Sequence, residues 1–150
     1  MKPGSRLLVP SLLAVVVVLI SACAKVEMVR EADWETDFRD LSFPDPKHGW
    51  VVGAGGMIAH TADGGRTWER QDGGVTVDLF GVHFADDEDG WVVGEMGTVI
   101  ATTDGGAHWR RVSSPTGAML RGLHFHSRRR VWAVGESWNV FVTQTFGRKW

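Results

Sequence analysis

A period of 41 residues runs through the chain and limits what it can fold into. Tryptophan stands at positions 68, 109 and 150, and again at 50, 91 and 132. Glycine repeats at 53, 94 and 135, and phenylalanine at 43, 84 and 125. Around the first series the sequence reads Asp63-Gly64-Gly65-Arg66-Thr67-Trp68, then Asp104-Gly105-Gly106-Ala107-His108-Trp109, then in altered form Thr145-Phe146-Gly147-Arg148-Lys149-Trp150. A fixed period of about 20–50 residues marks a repeat architecture, in which one small unit stacks on copies of itself.

Each period contains four short strand signals. Leu41 and Phe43 alternate with Asp40 and Ser42, as Val82 and Phe84 do with Gly81 and His83, and Leu123 and Phe125 with Gly122 and His124. Alternation with a period of two is strand behaviour. A polar turn follows (Pro44 to Gly49, Ala85 to Gly90), then a second strand at Trp50–Gly53, Trp91–Gly94 and Trp132–Gly135. The third strand is expected over Met57–Thr61, Thr98–Thr102 and Asn139–Thr143, and the fourth from the tryptophan that closes each Asp-Gly-Gly turn. A four-stranded unit of this size cannot bury both faces alone, and radial stacking of such sheets makes a β-propeller. The expected fold is therefore all-β. It has three four-stranded antiparallel blades, at about 38–78, 79–119 and 120–150, and forms an incomplete propeller. A solenoid fits less well, because its coils carry fewer strands per repeat.

The Asp-Gly-Gly turn reads as structural. Asp63 and Asp104 can accept hydrogen bonds from amides of their own turn. Gly64, Gly65, Gly105 and Gly106 permit positive φ, and Trp68, Trp109 and Trp150 offer apolar area to clamp the turn on the blade.

The first 22 residues have the layout of an export signal: basic Lys2 and Arg6, an apolar run from Leu7 to Ile20, then small residues at a cut site. The run is about 14 residues, short of the roughly 20 that a spanning helix needs. Ile20-Ser21-Ala22-Cys23 resembles the lipobox of bacterial lipoproteins, in which the thiol after the cut takes the lipid. Cys23 is the only cysteine, so no intrachain disulfide can form. Residues 23–37 are expected to be a tether and an N-terminal strand, since Trp34-Glu35 matches Trp68-Glu69. The expected address is outside the cytoplasm, at a membrane facing periplasm or thylakoid lumen. Removing Lys2 and Arg6 from the 16 Lys and Arg leaves 14 against 18 Asp and Glu, a net of about −4, which argues against a nucleic-acid partner.

Three clusters are candidates for chemistry. Asp86-Asp87-Glu88-Asp89 could hold a hard cation, but it lacks the glycine and glutamate of an EF-hand loop and reads as a solvated turn. His124 and His126 share a strand face, with His83 at the repeat position of His124, but no third ligand is in view. No metal and no cofactor is expected. Arg128, Arg129 and Arg130, with Arg121 upstream, form the strongest charge cluster. Arginine suits bidentate recognition of carboxylates, so these four residues are the expected partner-binding patch.

The motif Thr-x-Asp-Gly-Gly-x-Thr-Trp resembles the Asp-box, or bacterial neuraminidase repeat. The longer string from Leu41 through Gly49-Trp50-Val51-Val52-Gly53 to Trp68-Glu69 resembles the photosystem II stability and assembly factor family. The resemblance covers roughly residues 34–150. It implies a non-enzymatic propeller that binds a newly made membrane protein, the reaction-centre D1 subunit, and in cyanobacteria a lipoprotein facing the thylakoid lumen. That family's propeller has about seven blades, so this chain is expected to be a piece of a longer one, with a two-chain ring of six blades as the alternative and self-association through open blade edges as a consequence. Two other functions stay open: a fragment of an Asp-box glycoside hydrolase, and a cell-envelope structural lipoprotein. Sialidases use a tyrosine nucleophile, and this chain has no tyrosine.

Overall fold

The computed structural model describes residues 36–127 and 129–150. The export signal, Cys23, Trp34-Glu35 and Arg128 lie outside the described residues. Eleven strands form three antiparallel sheets in which neighbours in sequence are neighbours in space. The first sheet holds β1 (Phe38–Ser42), β2 (Gly49–Gly53), β3 (Ile58–Thr61) and β4 (Glu69–Gln71). The second holds β5 (Leu79–Phe84), β6 (Asp89–Gly94), β7 (Val99–Thr103) and β8 (Arg110–Arg111). The third holds β9 (Leu120–Ser127), β10 (Arg130–Gly135) and β11 (Val140–Thr143). Two sheets thus have the four strands expected; among the described residues the third has three. The fourth strands begin one residue after Trp68 and Trp109, and the turns after Gly53 and Gly94 wind into short 3-10 segments.

Register repeats with the sequence. Ser42 pairs Trp50, His83 pairs Trp91 and His124 pairs Trp132. The repeated glycine at 53, 94 and 135 has a steric cause. A Cβ there would collide with the backbone carbonyl of Asp37, Asp78 or Met119, which approaches from the start of the same blade. Those carbonyls accept the amides of Ala54 (2.9 Å), Glu95 (2.9 Å) and Glu136 (3.0 Å). Each glycine therefore lets the entering chain dock against the second strand of its own blade.

The core lies between sheets. One apolar cluster, with Trp50, Val52, Ile58, Leu79, Phe84 and Ile100, joins the first and second blades. Another, with Trp91, Val93, Leu120, Phe125 and Val131, joins the second and third. Each blade thus buries its inner face only against a neighbour, which is the stacking that the 41-residue period requires. The sequence reading had the Asp-Gly-Gly tryptophans clamp each turn onto its blade and assigned no packing role to Trp50 and Trp91. In the fold, Trp50 and Trp91 fill the blade junctions and are fully buried, whereas Trp68 and Trp109 are half-buried at the rim. Strand two runs through the middle of the sheet, so its side chains meet the next blade; Trp68 Nε1 donates to the Gly65 carbonyl of its own turn at 3.0 Å, whereas Trp109 also packs edge-on to Phe84.

Candidate functional site

The Asp-Gly-Gly turns are self-contained hydrogen-bond knots. In the first, Asp63 Oδ1 accepts from the Thr61 hydroxyl (2.8 Å) and the Thr67 amide (2.9 Å), and Oδ2 from the Thr67 hydroxyl (2.7 Å). Thr61 Oγ1 in turn accepts the Gly65 amide at 2.9 Å. The second turn repeats this with Thr102, Asp104, Gly106 and His108. Gly64, Gly65, Gly105 and Gly106 all have φ between 66° and 88°, the left-handed region that a Cβ disfavours. Donors aimed at the carboxylates hold Asp63 and Asp104 at a pKa of about 2, below the usual 3.8. Both carboxylates thus serve the turn. In the third copy Thr145 does the work of the aspartate with one oxygen, accepting the Lys149 amide at 2.8 Å. Thr143 accepts the Gly147 amide at 3.0 Å. Phe146 keeps the glycine backbone at φ 55°, and Trp150 Nε1 donates to the Ser113 carbonyl at 2.6 Å.

The turn between the first two strands has a pin that sequence reading missed. Asp45 Oδ1 accepts the amides of Lys47 (2.6 Å) and His48 (2.9 Å), and Asp86 Oδ1 those of Glu88 (3.0 Å) and Asp89 (2.7 Å). Ser127 Oγ accepts the Arg130 amide at 3.3 Å. Positions 45, 86 and 127 are one repeat apart, and that spacing was the available signal. Asp86 therefore anchors the acidic run as a turn. These amides and the His48 ring hold the Asp45 carboxyl at about 2.

The predicted arginine patch divides. Arg121 lies at the start of β9, while Arg129 and Arg130 lie past its other end. At about 3.3 Å per residue, roughly 25 Å of strand separates them. Arg121 instead joins a group that the sequence reading did not single out. In each blade the first two strands slip register by one residue, between Phe38 and Asp40, between Leu79 and Gly81, and between Leu120 and Gly122. The residues left over are Arg39, Phe80 and Arg121. A β-bulge re-aims the side chain of its extra residue. The guanidinium carbons of Arg39 and Arg121 lie 4.9 and 5.7 Å from the centroid of the Phe80 ring. Arg39 also meets Asp78 at 3.0 Å, and Arg121 meets Glu136 at 3.1 Å. The three blades together present an aromatic ring between two cations. The carboxylate partner of Arg121, Glu136, is exposed, and such pairs are worth about 0–1 kcal/mol, while Asp78 is half-buried and also accepts the Gly55 amide at 2.9 Å. All three residues fall on the 41-residue period, so the group was legible in principle; the bulge that exposes it was not.

The histidines pack instead of converging. His83 stacks on Phe125 (5.4 Å, 8°) and meets His124 edge-on at 5.9 Å. Burial, with the nearby His124 next, lowers the pKa of His83 below 6.5. Among the described residues no group of three or more His, Cys, Asp or Glu could hold a metal ion. No described helix is long and apolar enough to cross a membrane.

Comparison with known proteins gives a consistent result. The family profile described as photosynthesis system II assembly factor YCF48 matches residues 23–119. The photosystem II stability/assembly factor HCF136 of Cyanidioschyzon merolae is 42% identical over 57 residues, covering 32% of this chain and 13% of that protein. The photosystem II assembly lipoprotein Ycf48 of Synechocystis is 40% identical over 68 residues, covering 40% of this chain and 20% of that one. Among solved structures, YCF48 bound to a D1 peptide superposes with a TM-score of 0.70 at 29% identity, over 77% of this chain and 38% of that chain. YCF48 from Cyanidioschyzon merolae gives 0.71 at 29% identity, over 80% and 40%. The chain thus spans at most about two fifths of these relatives. With its repeat, its knotted turns and its blade packing all accounted for, and with the profile covering well over half its length, the chain belongs to the YCF48 family of photosystem II assembly factors.

Proposed function

We propose that this chain is a membrane-tethered, non-enzymatic propeller module that binds a newly made membrane-protein client during assembly, a reaction-centre subunit where the host is photosynthetic. The observation that carries the reading is family membership together with a relative solved with a D1 peptide bound. On this chain the ring of Phe80 between Arg39 and Arg121 is the surface best suited to an acidic or carboxylate-ended segment, because guanidinium groups recognise carboxylates bidentately. Arg129 and Arg130, at the turn into β10, with Arg128 next to them in the sequence, are a second basic station. The lipid is assigned to Cys23, by its lipobox and by relatives named as lipoproteins.

Capture of a D1 peptide by the purified chain tests the reading. The double change Arg39→Glu, Arg121→Glu is expected to weaken capture at least about tenfold, the factor for one lost charge-assisted bond, with little change in melting temperature. Equal loss from Arg129→Glu, Arg130→Glu alone would move the site to the outer turn, and no capture by the unaltered chain would sink the client reading. Cys23→Ser is expected to abolish incorporation of labelled fatty acid; label retained by that variant would refute the anchor.

A further inference from the structure

A cleft at the junction of the second and third blades is lined in part by positions whose equivalents one repeat earlier carry the opposite charge. Where the second blade's outer strand meets the third blade's turn, Arg110, Arg129, Arg148 and Lys149 surround a half-open concavity of about 740 Å³, with Gln144, Thr145 and Phe146 completing its wall. One repeat earlier the corresponding positions are Glu69, Glu88, Ala107 and His108, with Asp104 in place of Thr145. Three acids at one junction are thus replaced by two arginines and a neutral threonine at the next, and the two remaining positions gain Arg148 and Lys149. The turn itself goes from Asp-Gly-Gly-Ala-His-Trp, with one negative charge, to Thr-Phe-Gly-Arg-Lys-Trp, with two positive ones. Among the described residues no acidic one lines this concavity. Glu88 and Asp89 border a neighbouring one, which shares Arg129 and Phe146 with it.

The aromatic in the wall is held at a backbone angle that favours glycine. Phe146 has φ 55°, where the two earlier turns have Gly64 and Gly105. Strain of this kind, of order 1–3 kcal/mol, persists only where the surroundings enforce it. The ring packs edge-on against Trp91 at 5.2 Å, and the guanidinium carbon of Arg110 lies 4.7 Å from its centroid. The ring thus gives Arg110 a fixed platform in a cleft where its repeat equivalent is a glutamate.

We infer that this concavity is a binding site for a tetrahedral oxyanion, either phosphate or the phosphate of an ester. Several cations converging from three segments, with guanidinium groups among them, match the charge and the multiple acceptor oxygens of such an anion. The site is separate from the Phe80 surface and does not depend on the client reading.

Titration of the full chain with inorganic phosphate, followed by amide NMR, tests it. The expected result is saturable shifts of the 144–149 amides, absent with equal concentrations of chloride. Arg110→Gln with Arg148→Gln is expected to raise the apparent Kd at least about tenfold, while Arg66→Gln with Arg70→Gln in the first blade leaves it unchanged. Vesicles of phosphatidylglycerol against phosphatidylcholine separate the sources. Selective capture lost in the double variant assigns a lipid headgroup, and phosphate binding without capture assigns a soluble phosphate. Shifts equal to those with chloride, or equal in the double variant, overturn the site. Tighter binding of a polyglutamate peptide than of phosphate at the same amides overturns the ligand class.

Discussion

The junction between the first and second blades is cross-linked by several side-chain hydrogen bonds, whereas the junction between the second and third relies mainly on apolar packing, with one indole bond from Trp150 to the Ser113 carbonyl. At the first, Trp50 stacks nearly flat on Phe84 (centroids 3.5 Å, 9°) and its Nε1 donates to the Gly105 carbonyl at 3.2 Å. Gln71 donates to the same carbonyl at 2.9 Å and accepts from Trp109 at 3.4 Å. Asp40 and Ser42 accept the amides of Val82 (2.9 Å) and Phe84 (3.0 Å) across the gap. At the second junction the aromatic positions are kept, but four of the polar or small ones differ. Gln71 becomes Val112, Asp40 becomes Gly81, Ser42 becomes His83 and Gly105 becomes Phe146. Trp91 meets Phe125, Phe146 and Trp150 edge-on at 5.2–6.3 Å, and its buried Nε1 has no partner. The register is the same at both. A repeat can therefore keep its backbone geometry while exchanging the kind of bond that holds its units together.

The largest expected contrast comes from removing a cross-link. Ser42→Ala leaves the Phe84 amide without its acceptor and is expected to cost about 1–3 kcal/mol in urea unfolding. The matching change His83→Ala removes a stacked ring and no such bond. If Ser42→Ala proves silent, the polar account of the first junction fails.

A smaller contrast separates the two tryptophans. Trp50→Phe loses an indole donor bonded to Gly105 and is expected to destabilise by about 1 kcal/mol more than Trp91→Phe, which removes a donor that bonds nothing. Equal losses by calorimetry would mean that the indole bond contributes nothing and that ring volume alone matters.

The mildest effect is a pH dependence that differs between junctions. Burial depresses His83 in the folded chain, and likewise His60 in the first blade. The unfolded chain then binds more protons, so this stability is complete above about pH 6.5 and is lost as pH falls through the lower folded values. Asp45, Asp63 and Asp104 add a second step on the same side, present above about 3.8 and lost toward about 2. His83→Gln is expected to flatten the upper step, and Asp63→Asn the lower one, in melting temperature measured from pH 7 to pH 2. An unchanged upper step in His83→Gln would assign it to His60.

Much of this was legible before any coordinates. The 41-residue spacing located the strands and the blade count, because side-chain alternation and turn glycines report local backbone requirements. The knotted turns were legible too, since Asp63 and Asp104 find their donors within four residues. Less accessible was what depends on partners far along the chain. Trp50 outranks Trp68 as a core residue because Phe84 and Gly105 cover it. Arg121 leaves Arg129 for Phe80 because a one-residue bulge re-aims it.

The sequence by itself determined the repeating unit and how each unit turns, since those rest on bonds between near neighbours. Only the tertiary structure decided which surfaces the units share: the Arg39–Phe80–Arg121 group, the basic cleft between the second and third blades, and the choice between polar and apolar junctions. Those features are made from residues on different strands and blades, and their meeting depends on how one blade leans on another.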